Sequence, residues 1–119
     1  MRYLCLVCFD GKDIDYTSAE WRQLQQDSAN YDVELERGGH LVHAEALQSN
    51  DTATTVRVRN GKLSATDGPF AETKEQVAGF ILIEASDLNE AIRIAGGIPL
   101  ARVGSVEVRP IMDFKSDLQ

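Results

Sequence analysis

The predicted strand at residues 40–47 carries the two side chains best suited to proton transfer. His43 and Glu45 stand two residues apart in an alternating stretch, so a strand would point both to the same side. An imidazole exchanges protons near neutral pH, and a nearby carboxylate stabilises its charged form. The pair therefore predicts an acid/base dyad, and the alternative is a polar pair on a strand surface with no catalytic role.

A second candidate lies in TDGPFAETKEQ, residues 66–76. Proline presets φ and glycine relieves steric demand, so Gly68 and Pro69 predict a rigid turn. We expect this turn to direct Phe70 inward and to place Asp67 at a cleft, as a ligand anchor or an acid/base group. The alternative is that Asp67 caps the backbone amides of its own turn, as aspartate often does.

Further charged residues are candidates for binding an anionic ligand. Arg57 lies on a predicted hairpin strand, and Arg109 stands beside Glu107 on the last strand. Arginine binds carboxylates through two parallel hydrogen bonds, although a salt bridge across a dimer interface is the alternative role. Glu72 and Lys74 would share one face of an extended segment, as ligand contacts or as a solvated ion pair.

No motif for a metal, nucleotide or phosphate is found in the sequence. There are two histidines, and no carboxylates stand beside them at metal-ligand spacing. Neither a glycine-rich phosphate loop nor a nucleophile elbow is present. We therefore predict neither a metal nor a cofactor.

Cys5 and Cys8 form a C-x-x-C motif inside a strand pattern. Residues three apart in a strand point to opposite faces, with Cα atoms about 10 Å apart, which is too far for a disulfide. Two buried thiols are expected, and a redox-active or metal-binding motif is the alternative.

Length and charge limit the classes of protein and partner. The chain has 119 residues, which predicts one domain over residues 1–119. Its net charge of −7 argues against nucleic acid and against an anionic membrane surface as partners. The short apolar N-terminus is followed at once by a charged turn, unlike a signal peptide, and nothing reaches membrane-spanning length. A cytoplasmic location is predicted.

The predicted elements form an α+β domain. Two long apolar runs and two alternating stretches predict four strands, at residues 3–9, 77–85, 40–47 and 105–112. Capping boxes at Thr17–Glu20 and Asp87–Glu90 predict two helices, ended by Gly38 and Gly96. Asn60-Gly61 predicts an inserted β-hairpin. This order is the ferredoxin-like split βαβ arrangement, an antiparallel sheet with both helices on one face.

The two apolar runs occupy the central strands of that arrangement. We expect Val42, Ala44 and Ala46 to lie under the helices and Leu41 to point to the open face with His43. Because the helices cover one face while the central strands are apolar on both, a second copy of the chain is expected to cover the other. A sheet-to-sheet homodimer follows.

Several segments resemble one protein family. DGPFAETKEQVAGFILIEASDLNEA, with ATTVRVRNGKLSATDGPF before it and VEVRPIM near the end, is similar to the DGPF-domain branch of the YCII-related family. The resemblance implies a ferredoxin-like domain that dimerises sheet to sheet, as in the dimeric α/β barrels. It also implies an active site with a His and an Asp in the cleft, in a fold shared with cofactor-free lactone isomerases and monooxygenases. DGPF proteins are further associated with extracytoplasmic-function sigma factors, which implies regulation.

Two hypotheses of different class result. In the first, a cofactor-free enzyme acts on a small organic acid or lactone, with His43 and Asp67 transferring protons in a dimer cleft. In the second, a non-catalytic dimeric module recognises a small ligand or a protein partner such as a sigma factor. Convergence of His43, Asp67 and an arginine in a polar cleft would favour the first.

Overall fold

The computed structural model describes residues 1–114 and has the predicted α+β architecture. Its strands and helices are, in chain order, β1 (Arg2–Phe9), α1 (Ala19–Arg37), β2 (Leu41–Ala46), β3 (Thr54–Arg59), β4 (Lys62–Asp67), β5 (Gln76–Glu84), α2 (Leu88–Gly96) and β6 (Ser105–Pro110). Short 3-10 turns lie at Gly11–Asp13, Asn50–Thr52 and Pro99–Arg102.

Four strands form an antiparallel sheet in the order β2-β5-β1-β6. This is the ferredoxin-like order, and the two long apolar runs form the central strands β1 and β5 as predicted. The remaining strands, β3 and β4, pair only with each other. The predicted fold class is confirmed.

The hydrophobic core lies on one face of this sheet. Tyr3, Cys5 and Val7 of β1 alternate onto that face, and Ile81 and Ile83 of β5 lie beside them. Buried side chains of both helices complete the core: Leu35, Ala91, Ile94 and Ala95. The helices therefore cover one sheet face and leave the other open.

The helix starts follow the sequence with one shift. Ser18 is the N-cap of α1, and its hydroxyl accepts a hydrogen bond from the Trp21 amide at 3.0 Å. The prediction that Thr17 caps this helix is wrong by one residue, because the Thr17 hydroxyl instead donates to the Asp15 carboxylate at 2.6 Å. Asp87 caps α2 as predicted, accepting from the Glu90 amide at 2.8 Å.

A β-bulge in β2 decides which of its side chains face the helices. Leu41 pairs with Ile83, whereas His43 pairs with the next residue, Leu82, so Val42 is the extra residue. Leu41 therefore packs against the core, and its predicted position on the open face is wrong. His43 keeps its predicted position, facing away from the helices.

The hairpin β3–β4 projects from the domain as an arm, here defined as Thr54–Asp67. Its turn has positive φ at both central residues, 53° at Asn60 and 75° at Gly61, as a type I′ turn requires. Apart from the half-buried Thr55, every residue of its two strands is exposed. The radius of gyration is 16.4 Å, larger than the value of about 13.5 Å typical of a compact 119-residue domain.

Candidate functional site

The open face of the sheet has an apolar centre and charged edges. Half-buried leucine and phenylalanine side chains fill the centre: Leu4, Leu6, Phe80 and Leu82. Strand register aligns these side chains in two rows that run across the whole sheet. One row contains His43, Leu82, Leu4 and Arg109, and the other contains Glu45, Phe80, Leu6 and Glu107.

His43 and Glu45 lie side by side at the β2 edge of this face. The imidazole Nε2 lies 3.1 Å from Glu45 Oε2, and the ring centre is 6.0 Å from that of Phe80. Each of the two side chains is 59% exposed. The two side chains of the predicted dyad therefore meet, with Nε2 beside the carboxylate, and their role in proton transfer stays a prediction.

Arg109 and Glu107 form the matching pair at the opposite edge. Arg109 Nη1 lies 3.4 Å from Glu107 Oε2, and both side chains are mostly exposed. Three strand spacings separate this edge from His43, a distance of about 14 Å. A single chain therefore does not place Arg109 and His43 on the same small ligand.

A cleft of about 820 Å³ opens where this face meets the loops around the arm. Its polar wall contains Glu107 and Arg109, together with Ser105, whose hydroxyl donates to Glu75 Oε1 at 2.6 Å. Sequence reasoning missed Ser105 and Glu75. Alternation along β6 puts Ser105 on the same face as Glu107 and Arg109, so that signal was present. Glu75 lies in an irregular segment, where the sequence carries no such signal.

Phe70 lines this cleft without being buried. Its side chain is 82% exposed, so the prediction that Phe70 packs inward is wrong for the single chain. Gly68 takes a φ of 101° and Pro69 follows, so the chain turns as predicted. This turn places the Phe70 ring at the rim of the cleft, where it does not pack against the hydrophobic core.

Asp67 does not join His43 or the cleft. It is the exposed last residue of β4, paired with Thr54 across the arm. Among residues 1–114 its side chain makes no hydrogen bond, either to amides of its own turn or to a group in the cleft. The structure thus supports neither the capping alternative nor the predicted convergence of Asp67 with His43.

The remaining candidates lie apart from the open face. Glu72 and Lys74 line a separate cleft of about 670 Å³ beside Lys12 and Tyr16, and within the described residues they form no ion pair with each other. Arg57 is exposed on the arm, opposite Ser64. Of the eight predicted residues, Arg109 and Phe70 therefore share the open-face cleft, Glu72 and Lys74 share the second cleft, and His43 and Glu45 lie together on the open sheet face.

The sequence comparisons agree with this architecture. A family model described as the YCII-related domain matches residues 1–115. The chain belongs to the YCII-related family. An uncharacterised protein of Rhizobium meliloti (strain 1021) is 32% identical over 114 residues, which cover 92% of each of the two chains. The family resemblance seen in the sequence is confirmed, and membership of the DGPF branch stays a prediction.

Two further features of this YCII-related chain bear on what it could bind. Within residues 1–114 no three His, Cys, Asp or Glu side chains are grouped so that they could hold a metal ion. Neither described helix combines the length and apolarity needed to cross a bilayer.

Both cysteines of the YCII-related chain are free, as predicted, and face opposite sides of the sheet. Cys5 lies in the core, where burial raises the pKa of its thiol to about 11. Cys8 is only half-buried and lines the open-face cleft, so the prediction that both thiols are buried is wrong for Cys8. Burial, and then the negative charges of Glu107 and Glu75, raise the pKa of the Cys8 thiol above its ordinary value.

The raised pKa predicts slow alkylation of Cys8. Because the thiolate is the reactive species, the rate at which Cys8 reacts with iodoacetamide should still rise with pH at values where the rate for free cysteine has reached its plateau. Glu107→Gln removes one of the charges responsible, so it should shift the rate profile to lower pH. Peptide mass spectrometry would follow Cys8, with Cys5 as the buried reference that reacts after unfolding. A Cys8 profile identical to that of free cysteine would contradict this prediction.

Proposed function

We propose that this YCII-related protein is a homodimeric, cofactor-free enzyme that transfers protons on a small organic acid or lactone between two open sheet faces. The observation that carries the proposal is the His43–Glu45 pair at 3.1 Å on a sheet face whose centre is apolar. A proton-transferring dyad next to an apolar surface gains strength when that surface is closed off from water.

A second copy of the chain is the proposed cover for this face. Four half-buried apolar side chains in one patch seldom stay in water on a monomer. An isologous dimer would bury the patch against itself. The charged edges would then surround the buried centre, as the polar rim does at other protein interfaces.

In our proposal each ring nitrogen of His43 has its own role. When Glu45 accepts a hydrogen bond from Nε2–H, the lone pair of His43 lies on Nδ1. In our proposal Nδ1 takes a proton from the substrate carbon next to a carbonyl and returns it to another carbon of the same molecule. This isomerisation is balanced in atoms and electrons and requires no cofactor.

Arg109 is the proposed anchor for a substrate carboxylate. Since it lies about 14 Å from His43 in its own chain, one small substrate can contact both groups only when they come from different copies. A two-fold axis parallel to the strands would place the β2 edge of one copy over the β6 edge of the other. Asp67 receives no role in proton transfer here and stays a predicted ligand contact.

Deuterium exchange in D2O tests the proposal. Nuclear magnetic resonance would follow the loss of α-proton signals from a panel of 2-oxo acids and unsaturated five-membered lactones. We expect exchange of at least one compound to fall by about 100-fold in His43→Gln, the usual scale for removing a general base. His40→Gln is the matched control, since His40 Nδ1 contacts the Glu84 carbonyl at 2.9 Å, away from the open face. No exchange with any compound, or equal loss in both variants, would overturn the proposal.

A second candidate function is a non-catalytic dimeric module that binds a small ligand or a protein such as a sigma factor. It is favoured by the absence of convergence in the single chain, where Asp67 lies apart from His43 and the cleft groups already pair with each other. Heat stabilisation by members of the same panel, without deuterium exchange, would support this function over the enzyme.

A further inference from the structure

We infer that the arm, Thr54–Asp67, is a dimerisation arm that packs on the second copy of the chain. The inference rests on the proposed dimer and goes beyond it, because the arm lies outside the sheet face that carries that proposal. It assigns a partner to the one β-hairpin in residues 1–114 that has no packing surface of its own.

The arm is amphipathic, with an apolar face exposed to solvent. Strand register places Val56 opposite Ala65 and Val58 opposite Leu63, so these four side chains share one face. Val56, Val58 and Leu63 are 57%, 58% and 72% exposed. The other face is polar, with Arg57 paired with Ser64 among its residues. Alternation of this kind is typical of a strand pair that lies with one face on an apolar surface.

The arm needs such a surface to be stable. A two-stranded hairpin alone is marginal in water at best. Two hydrogen bonds of 2.8 Å join the two legs of the arm at its base, from the Gly68 amide to the Ala53 carbonyl and from the Thr55 hydroxyl to the Gly68 carbonyl. They close the base of the arm, but they leave the apolar side chains nearer the tip exposed.

The position of the arm indicates the second copy as its partner. Ala53, just before the arm, and Pro69, shortly after it, both line the cleft of the open sheet face. The arm therefore rises from the rim of the surface that the second copy is proposed to cover. A partner seated on that surface would lie directly beside the arm.

The arm would also enlarge the expected interface. A four-stranded sheet of this length presents about 450 Å², from strand spacings of about 4.8 Å and a rise of about 3.3 Å per residue. A stable interface buries about 800 Å² on each partner. Each arm adds about 200 Å² by the same geometry, so the sheet face with one arm given and one received reaches the required size.

Charge favours the same partner. The arm contains three basic residues, Arg57, Arg59 and Lys62, and one acidic residue, Asp67, so its net charge is +2. Because the whole chain has a net charge of −7, the residues outside the arm carry −9. A positive arm is attracted to an acidic surface, and the body of a second copy provides one.

Sedimentation of matched arm variants tests the inference. The triple variant Val56→Ser, Val58→Ser, Leu63→Ser removes the apolar face, and Leu63→Lys is a single change that leaves both valines in place. Ser64→Ala with Thr66→Ala alters the opposite face as a control. We expect the dimer dissociation constant to rise by about 100-fold in the triple variant and to stay within about threefold of the unmodified value in the control.

The outcomes separate the arm from the dimer. If the unmodified chain is a dimer, and neither the triple variant nor Leu63→Lys changes the dissociation constant, the role of the arm is overturned while the dimer stands. An unmodified chain that stays single at micromolar concentration would overturn both. If the triple variant loses its circular dichroism spectrum, Leu63→Lys decides, because a weakened dimer supports the arm and an unchanged one overturns it.

Discussion

Replacing Leu6 with lysine should convert the proposed dimer into single chains of 13.1 kDa. Leu6 lies half-buried at the centre of the open sheet face, in the row that ends at Glu107. In a single chain the lysine can extend to water beside that carboxylate, so the fold should persist. In the dimer its charge would be buried against the partner sheet at a cost of several kcal/mol.

Val33→Lys is the matched control for this change. Val33 is 44% exposed on α1, on the helical side of the domain, and should tolerate lysine without a change in mass. Sedimentation velocity with circular dichroism would compare the two variants. Loss of folded structure in Leu6→Lys, or a dimer as tight as the unmodified one, would contradict the assignment of this face to the interface.

Replacing Gly104 with alanine should destabilise the fold by about 3 kcal/mol or more, within the upper range for overpacking. Gly104 precedes β6, and an added Cβ would overlap the Cys8 carbonyl oxygen and approach Phe9 Cβ to 2.8 Å. Because the first of these contacts is with backbone, β6 would have to shift away from β1. Chemical denaturation should reveal the loss.

Gly96→Ala provides the control at the end of α2. Nothing lies within 4 Å of a Cβ built there, and the residue is helical. Alanine should leave stability unchanged or raise it by up to about 1 kcal/mol, since it favours the helix over glycine. Equal stabilities of the two variants would show that β1 and β6 do not approach each other as closely as described.

The sequence predicted the parts of the fold that depend on local pattern. Continuous apolar runs placed β1 and β5 at the sheet centre, and Asn60-Gly61 placed the hairpin turn. Alternation alone could not reveal the bulge at Val42, which returned Leu41 to the core while keeping His43 outside. A bulge depends on how two strands pair with each other, and the sequence of one strand alone does not determine that pairing.

The candidate site was less predictable because its members are joined by loops. His43 and Glu45 meet as expected, since a strand fixes residues two apart on one face. Asp67 ends the arm and Phe70 follows the next turn, and the directions of the arm and the turn depend on the whole domain. The prediction that they share a cleft assumed that the Phe70 ring would be buried by residues of its own chain.

The most direct test of the account is the mass of the unmodified protein in solution. Sedimentation equilibrium at micromolar concentration should give about twice the 13.1 kDa chain mass, because the open sheet face and the arm both require a second copy. A mass of 13.1 kDa across that range, with the apolar centre of the sheet in water, would contradict the dimer, the role of the arm and the proposed active site between two copies.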